Sequence, residues 1–268
     1  MVLYSHSKIE TFEQCKLKFK YRYIDKIIPE IPGSIEGYLG GIVHRTLEWL
    51  YIQVMDKKTP TITDIISFYS EKWKENYSDD TLIVNKNVTI EDYFNRGVEF
   101  LVNYYMKHQP FKDNTIAIER KIEIDLDKES DIKLIGFIDR LVNNIENNEI
   151  EIHDYKTGSS VLSKEKIENS RQLAIYSLAI KEIFGKEKNV SMIWHFLAYD
   201  TRFYLKKTNE ELEKFKKEVI ELIKRIEATK EFPPTKSRLC DWCQYKDICP
   251  VWKSYNNWEK KLDTFKSI

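Results

Sequence analysis

The chain has 268 residues, of which 42% are hydrophobic and 13% aromatic, so it can build a substantial core and is not an intrinsically disordered protein. Lysine and arginine together number 43, as do aspartate and glutamate, which gives a net charge of zero. Global charge therefore excludes a strongly basic nucleic-acid-binding protein, and any surface for phosphate must be local. No stretch approaches the roughly 20 apolar residues of a membrane span, and the polar N-terminus lacks a signal-peptide core. We expect a cytoplasmic protein without membrane contact.

Helical periodicity dominates the first part of the chain. Ser7 and Glu10 have the spacing of a capping box, and the apolar residues after them predict one helix from Ser7 to about Ile24. A second helix is expected from about Gly41 into the fifties, with an apolar side at helical spacing. Two more helical patterns cover roughly residues 62–78 and 91–108.

The middle of the chain changes to the period-two alternation of strands, and strand and helix patterns then follow one another to residue 228. This order predicts an α/β fold with a mixed central sheet flanked by helices and a helical insertion near the front. We expect one domain over residues 1–268, with the helical lobe at about 37–110 and the core at about 113–230. The predicted strands are Thr115–Leu126, Lys133–Val142, Ile150–Tyr155, Val190–Tyr199 and a short run near Phe203, and the predicted helices among them are Ser163–Phe184 and Glu210–Ala228.

Two aspartates and a lysine fall on neighbouring predicted strands. Asp154 and Lys156 are two positions apart, so their side chains point to the same face. A hairpin turn centred between Glu146 and Asn147 places Asp139 opposite Asp154, and shifting the turn by one residue places Asp139 opposite Lys156. In either register the three side chains converge on one patch of the sheet.

These residue types indicate metal-dependent hydrolysis of phosphodiesters. Two carboxylates so close together repel each other and need a cation, and Mg²⁺ or Mn²⁺ takes oxygen ligands while keeping positions for water and a phosphate oxygen. The metal lowers the pKa of its bound water, and a lysine beside it can stabilise the charge that develops in the transition state. Asp139 and Asp154 are therefore the candidate ligands, and Lys156 is the candidate catalytic group.

The segments that hold these residues, GFIDR and HDYKTG, resemble the RecB-like branch of the PD-(D/E)xK nuclease superfamily. The match extends along most of the chain. The segment GGIVHRTLE around His44 resembles the first motif of that family, and RQLAIY, with Gln172 and Tyr176, resembles its Q-x-x-x-Y motif. Glu119, in the first predicted strand, lies where the family often carries an acidic residue.

This resemblance implies a restriction-endonuclease-like core and a DNA nuclease that uses Mg²⁺ or Mn²⁺. It also implies a role for each matching residue. These roles are metal ligation by His44, Asp139, Asp154 and the backbone carbonyl of Tyr155, catalysis by Lys156, and support of the site or contact with DNA by Gln172, Tyr176 and Glu119.

The four cysteines are distributed as one near the N-terminus, Cys15, and three near the C-terminus, Cys240, Cys243 and Cys249. A C-x-x-C pair followed by a third cysteine is typical of a metal site, and four thiolates suit either Zn²⁺ or an iron–sulfur cluster. Spacing alone leaves that choice open. The chain resembles AddB-type nuclease domains and the CRISPR-associated single-domain RecB-like exonucleases, which place one cysteine before the nuclease core and three after it around a [4Fe–4S] cluster. The resemblance therefore favours [4Fe–4S], with zinc as the alternative, and implies that the cluster staples the N- and C-terminal regions together.

Basic and aromatic residues lie beside these cysteines. If the cysteines come together, the basic residues form a local strip for phosphate on a neutral protein, and the aromatic residues become candidates for stacking on bases. The alternative is a solvated helix face for the lysines and core packing for the aromatic rings. The basic residues are Lys16, Lys18, Lys20, Arg22, Lys236 and Arg238, and the aromatic residues are Phe19, Tyr21, Tyr23 and Trp242.

Together with the resemblance, these features indicate an exonuclease that acts on single-stranded DNA ends in DNA repair, recombination or CRISPR adaptation. The sequence contains no Walker-type G-x-x-x-x-G-K-[ST] motif, so a helicase motor or a CRISPR adaptation complex would have to be a partner. Two alternatives stay open. One is a catalytically weak DNA-binding subunit of a helicase–nuclease complex, and the other is a zinc-stabilised interaction scaffold.

Overall fold

A computed structural model describes residues 2–31, 33–127, 131–159 and 163–252. Six strands form one mixed sheet, and helices pack on it, which confirms the α/β fold predicted from the order of the elements. The strands are β1 (Val2–Ser5), β2 (Thr115–Asp127), β3 (Ile132–Asn144), β4 (Glu149–Lys156), β5 (Asn189–Phe196) and β6 (Thr201–Lys206). The helices are α1 (His6–Gln14), α2 (Lys16–Phe19), α3 (Ile35–Met55), α4 (Ile62–Asn76), α5 (Ile90–His108), α6 (Lys164–Glu168), α7 (Arg171–Phe184) and α8 (Asn209–Ala228).

Strand β3 is central in the sheet, and one of its edges pairs with two different strands that leave a gap between them. One edge of β3 pairs with antiparallel β2 along most of its length. The other edge pairs with parallel β1 over residues 132–135 and with antiparallel β4 over residues 140–144. Residues 136–139 therefore face a gap between β1 and β4. Beyond the gap, β4 pairs with parallel β5, and β5 pairs with antiparallel β6.

The hairpin between β3 and β4 has the first of the two registers considered above. Arg140 lies opposite His153, and Asn144 lies opposite Glu149, so the turn is centred between Glu146 and Asn147. This register continues to bring Asp139 level with Asp154.

Two hydrophobic cores hold the molecule together. The first lies between one face of the sheet and helices α1, α7 and α8, and includes Ile122, Leu134 and Ile152. The second fills the space between α3, α4 and α5, and it reaches the sheet through Tyr155 and Leu197. Within the described residues, no helix combines the length and apolar character that a bilayer crossing requires.

The prediction of one helix from Ser7 to about Ile24 is wrong. Helix α1 begins one residue before Ser7, because the Ser5 hydroxyl accepts the hydrogen bond from the Lys8 N–H and acts as the N-cap. It ends before Cys15, whose φ of −160° is extended backbone. The chain then continues as α2 and a π-helical turn over residues 20–24, so one expected helix is three short segments.

Other boundaries also differ from the predictions. Helix α3 begins at Ile35, six residues before Gly41, because Ser34 caps it there. The expected helix Ser163–Phe184 is divided, since α6 ends at Glu168 and Ser170 caps a new helix, α7. The expected strand Val190–Tyr199 ends at Phe196 and continues as a 3₁₀ turn, and strand β1 was not predicted.

Candidate active site

The candidate site lies in the gap of the sheet, where Asp139 connects the two diverging strands. One carboxylate oxygen of Asp139, Oδ2, accepts a hydrogen bond from the backbone N–H of Tyr155 at 2.9 Å. The Asp139 side chain therefore bonds to β4 just beyond the last backbone pair of the two strands, Arg140 and His153. The carbonyl oxygen of the same Tyr155 accepts a hydrogen bond of 2.7 Å from Nε2 of His44 on α3.

Three potential metal ligands meet at this point. The ligand atoms of His44, Glu119 and Asp139 lie within 4.8 Å of one another, and this is the only such set of three among the described residues. Nδ1 of His44 is 3.3 Å from Oδ2 of Asp139. Carboxylate oxygens and an imidazole nitrogen, with a backbone carbonyl next to them, form a donor set that fits a divalent cation such as Mn²⁺ or Mg²⁺.

Glu119 reaches this set through an unusual backbone conformation. It lies in β2 between Ile118, which pairs with Arg140, and Arg120, which pairs with Ile138, so it is level with Asp139. Its φ is +45°, in the left-handed region that costs a non-glycine residue roughly 1 kcal/mol or more. Strain of this kind persists where the surrounding structure requires it, and here it accompanies a half-buried carboxylate directed to the candidate metal set.

Crowded acidic groups and burial set the protonation of the site. Burial lowers the pKa of His44, but its hydrogen bond and charge interaction with Asp139 outweigh this and raise it to about 9. The pKa of Glu119 is raised by burial and by the charge of Asp139. Burial also raises the pKa of Asp154, against the opposing charge of Lys156. A divalent cation would offset this excess of negative charge and would compete with the proton on His44.

Lys156 lies beside this set in a closed arrangement with Asp154 and Gln172. Its Nζ is 2.6 Å from Oδ2 of Asp154 and donates to Oε1 of Gln172 at 2.9 Å. Gln172 in turn donates from Nε2 to Oδ1 of Asp154 at 2.7 Å. The ammonium group is thus held in one place, yet the Lys156 side chain is 32% exposed and can reach a substrate. The sequence did not indicate Trp194, whose ring centre is 5.2 Å from the same Nζ.

Tyr176 occupies the gap itself. Its hydroxyl donates to the carbonyl oxygen of Phe137 at 2.6 Å and accepts from Nε2 of Gln172 at 3.2 Å. Tyr176 and Gln172 are one helical turn apart on α7, so both point to the gap. The tyrosine of the Q-x-x-x-Y pattern therefore supplies a hydrogen bond to a carbonyl of β3 in the segment 136–139, which has no strand beside it on this edge.

The structure thus places the predicted site residues in two adjacent groups. The first is His44, Glu119 and Asp139, and the second is Asp154, Lys156 and Gln172, with Tyr176 beside it. The charge of Asp154 also acts on His44, which shows that the two groups are close. Besides Trp194, two further neighbours were not assigned a role from the sequence. They are the exposed ring of Phe137 and the buried guanidinium of Arg140.

All four cysteines line a single cavity, so Cys15 does lie with the C-terminal three. None forms a disulfide. The Thr235 N–H lies 3.4 Å from Sγ of Cys15, which joins the two regions of the chain directly. The four thiols do not form a set within 4.8 Å of one another.

The basic and aromatic residues near the cysteines have mixed positions. Lys18 and Lys236 both line the cysteine cavity, so the two basic segments meet as expected. Lys20 is instead paired with Asp25. Phe19 is not available to stack on bases, because it is 4% exposed and packs in the core between Phe12 and Phe232. Trp242 remains exposed.

A mixed sheet whose split collects a histidine, carboxylates and a lysine defines the class of α/β nucleases. The chain belongs to the PD-(D/E)XK nuclease superfamily, whose family model matches residues 4–250. No curated protein matches this chain.

Two solved structures are similar to this chain over most of their length. One is the protein SSO0001, with 12% identity, a TM-score of 0.44, and coverage of 93% of this chain and 86% of that one. The other is a protein from Eubacterium rectale named "Putative exonuclease", with 12% identity, a TM-score of 0.49, and coverage of 90% of this chain and 86% of that one.

Proposed function

We propose that this protein is a Mg²⁺- or Mn²⁺-dependent deoxyribonuclease. The observation that carries the proposal is the convergence of His44, Glu119 and Asp139 within 4.8 Å, next to an ordered lysine. Membership of a nuclease superfamily supports the same conclusion. Asp154 and the carbonyl of Tyr155 border the set and are the further ligands that we propose.

The protein groups around the metal set have separate tasks. A divalent cation bound there supplies a more acidic water and a Lewis acid for the phosphoryl oxygen. Lys156 orients the attacking water and stabilises the negative charge that grows on the phosphate. Asp154 and Gln172 keep the Lys156 side chain extended toward the substrate. Both residues contact its ammonium group, and Gln172 also donates a hydrogen bond to Asp154.

The test is digestion of end-labelled DNA with Mn²⁺ by the wild type, by Lys156→Ala and by Lys206→Ala. We expect Lys156→Ala to lower kcat by about 10²- to 10³-fold or more, as the loss of a group that stabilises the transition state does. Lys206→Ala is the matched control, because Lys206 is also a sheet lysine paired with a carboxylate, Glu149, at 2.8 Å. Wild-type cleavage in EDTA, or full activity of Lys156→Ala, would contradict the proposal. DNA binding without any cleavage by the wild type would favour a catalytically weak DNA-binding subunit.

We also propose that the substrate strand is unpaired. Phe137 is 51% exposed and lies two residues from Asp139 on the same strand, so a base beside the cleaved phosphate can stack on its ring. Lys121 lies opposite Phe137, so it is on the same face of the sheet; it is exposed and forms no ion pair within the described part of the chain. It is the phosphate contact that we propose.

Single-stranded and double-stranded oligonucleotides with the same labelled end test this preference. Phe137→Ala should raise KM for the single strand by about 10-fold, because stacking on one aromatic ring contributes roughly 1–3 kcal/mol per base. Phe184→Ala, at another exposed phenylalanine on the last turn of α7, is the control. Equal KM values for Phe137→Ala and the wild type would exclude this role for the ring.

We propose that cleavage starts from DNA ends, in repair, recombination or CRISPR adaptation with a helicase or adaptation complex as partner. This proposal rests on the family resemblance of the motifs. Circular single-stranded DNA should remain intact under conditions that degrade the same strand in linear form. Degradation of the circle at the same rate would show an endonuclease instead.

For the cysteines we propose a [4Fe–4S] cluster bound by Cys15, Cys240, Cys243 and Cys249. A zinc ion with Zn–S bonds of about 2.3 Å requires sulfurs within roughly 4 Å of one another, and the four thiols are not gathered so tightly. Their arrangement around one cavity suits a larger group. Iron analysis and visible absorbance test the assignment. Cys15→Ser should lose iron while Lys156→Ala retains it, whereas one equivalent of zinc without iron would support the zinc-stabilised scaffold.

A further inference from the structure

Arg140, the residue after Asp139, is a buried cation in the contact region between the sheet and the helical lobe. It is 1% exposed, and each of its three donor nitrogens has a hydrogen-bond partner. Nε donates to the hydroxyl of Tyr155 at 2.9 Å, and Nη2 donates to Nδ1 of His153 at 2.9 Å. Nη1 donates to Oγ1 of Thr115 at 3.1 Å and to the carboxylate of Asp113. The guanidinium is therefore fixed on every side.

The surroundings of Arg140 are arranged for a permanent positive charge. Arginine has only donors, so Nδ1 of His153 must be an acceptor and its proton must be on Nε2, which faces Glu151 at 3.3 Å. His195 donates from Nε2 to the same Nδ1 at 2.9 Å, so Arg140 and His195 share the single lone pair of this nitrogen. A buried cation with one carboxylate partner, Asp113, is an expensive way to gain stability, because desolvation opposes the ion pair.

The position of Tyr155 connects this cation to the metal set. At one end of the residue, the hydroxyl contacts Arg140 and lies 3.1 Å from the hydroxyl of Tyr104 on α5. At the other end, the backbone N–H is bonded to Asp139 and the carbonyl to His44. Fixing the ring therefore fixes the two backbone groups that orient these ligands.

Helix α3 is held by the same cation. His44 and Tyr51 are seven residues apart, which places them on the same face of the helix. The Arg140 guanidinium lies 3.9 Å from the centre of the Tyr51 ring, and the Tyr51 hydroxyl lies 2.6 Å from that of Tyr104. One buried arginine thus anchors both the strand and the helix that carry the candidate ligands.

We propose that Arg140 is a positioning residue for the metal set, acting through the hydroxyl of Tyr155 and the ring of Tyr51. It fixes Tyr155 of β4 between α3 and β3, so that His44 of α3 and Asp139 of β3 can bind the same divalent cation. The inference rests on the proposed function in so far as that cation is Mg²⁺ or Mn²⁺. Partners that orient metal ligands in this way commonly change metal affinity by about 10–100-fold when they are removed.

The decisive variant is Tyr155→Phe, which removes the hydroxyl and keeps the ring in the core. Its affinity for Mn²⁺, measured without DNA by the electron paramagnetic resonance signal of free Mn²⁺, should fall by about 10-fold or more. Cleavage should fall at low Mn²⁺ and recover as the Mn²⁺ concentration rises. A merely structural role would lower the melting temperature without changing the Kd for Mn²⁺.

Tyr69→Phe is the matched control. Tyr69 is also fully buried in the helical lobe, and its hydroxyl donates to the carbonyl of Phe94 at 3.2 Å, away from Arg140. It should lose stability like Tyr155→Phe but keep the wild-type Kd for Mn²⁺. Arg140→Lys, which keeps the charge but loses the forked geometry, should weaken Mn²⁺ binding further, and Tyr155→Phe remains the test if that variant does not fold.

The outcomes separate this inference from the proposed function. A wild-type Kd for Mn²⁺ in Tyr155→Phe, or an equal loss of affinity in Tyr69→Phe, overturns the positioning role alone. A wild-type protein that binds Mn²⁺ but cleaves no DNA overturns the proposed function and leaves the positioning role in place. A wild-type protein that does not bind Mn²⁺ overturns both.

Discussion

Gly136 shows how one missing methyl group organises the candidate site. A Cβ at this position would lie 2.6 Å from Cε1 of Tyr176, closer than real Cβ contacts allow. The ring cannot simply move away, because its hydroxyl is bonded to the carbonyl of Phe137 and to Gln172. The glycine of the GFIDR segment is therefore explained by the close approach of α7 to the unpaired edge of β3.

Gly136→Ala should lower the free energy of unfolding by about 1–3 kcal/mol, the usual cost of an overpacked position. It should also reduce cleavage, because a displaced Tyr176 releases Gln172 and with it Lys156. Gly41→Ala is the control, since nothing lies within 4 Å of the added Cβ, and in a helix this change should stabilise by about 0.5–1 kcal/mol. Chemical unfolding and cleavage assays of both variants measure the two effects. If Gly136→Ala has the wild-type unfolding free energy and cleavage rate, the Tyr176 ring has room to move.

At the scale of elements, the start of α7 decides where Gln172 and Tyr176 point. The Ser170 hydroxyl accepts the hydrogen bond from the N–H of Leu173 and begins the helix there. A helix that continued from Ser163 without this restart would present another face to the gap. The cap therefore acts on both the stability of the element and the orientation of its side chains.

Ser170→Ala should cost about 1 kcal/mol of unfolding free energy, as the loss of an N-cap usually does, and should also lower kcat. Thr208→Ala, which removes the cap of α8, should cost a similar amount and leave kcat unchanged, because α8 carries no site residue. Unfolding curves together with kcat values compare the two caps. Equal effects on kcat would mean that cleavage responds to stability and not to the orientation of α7.

At the scale of the whole molecule, buried histidines connect stability to pH. His108, at the end of α5, has a pKa lowered to about 4, chiefly because burial disfavours its charged form. Burial likewise lowers the pKa values of His153 and His195. Unfolding exposes these side chains and returns the pKa of each to about 6.5, so the unfolded chain binds more protons below that pH.

The stabilisation that depends on these neutral histidines should therefore be complete above about pH 6.5 and should be lost progressively as the pH falls toward 4. For His108 the loss should be about 2 kcal/mol, after allowance for its partial exposure. His108→Gln should show a shallower fall of unfolding free energy between pH 6.5 and 4, measured by urea unfolding at each pH. A slope identical to that of the wild type would place the acid sensitivity elsewhere.

The sequence by itself determined the α/β class, the three strands around the candidate site and the convergence of Asp139, Asp154 and Lys156. These features follow from short-range patterns, because periodicity defines a strand and a short hairpin fixes which residues lie opposite each other. The roles of those residues stay predictions that the experiments above test.

Only the tertiary structure decided the break of the first helix at Cys15, the addition of β1, the burial of Phe19 and the task of Arg140. Each depends on a partner that is distant along the chain. Cys15 meets the region of Thr235, and β1 pairs with residues 132–135, more than a hundred positions away. Arg140 is a buried anchor because α3 and α5 close over it with Tyr51 and Tyr104. Local patterns carry no record of such contacts, which arise only when the helical lobe packs on the sheet.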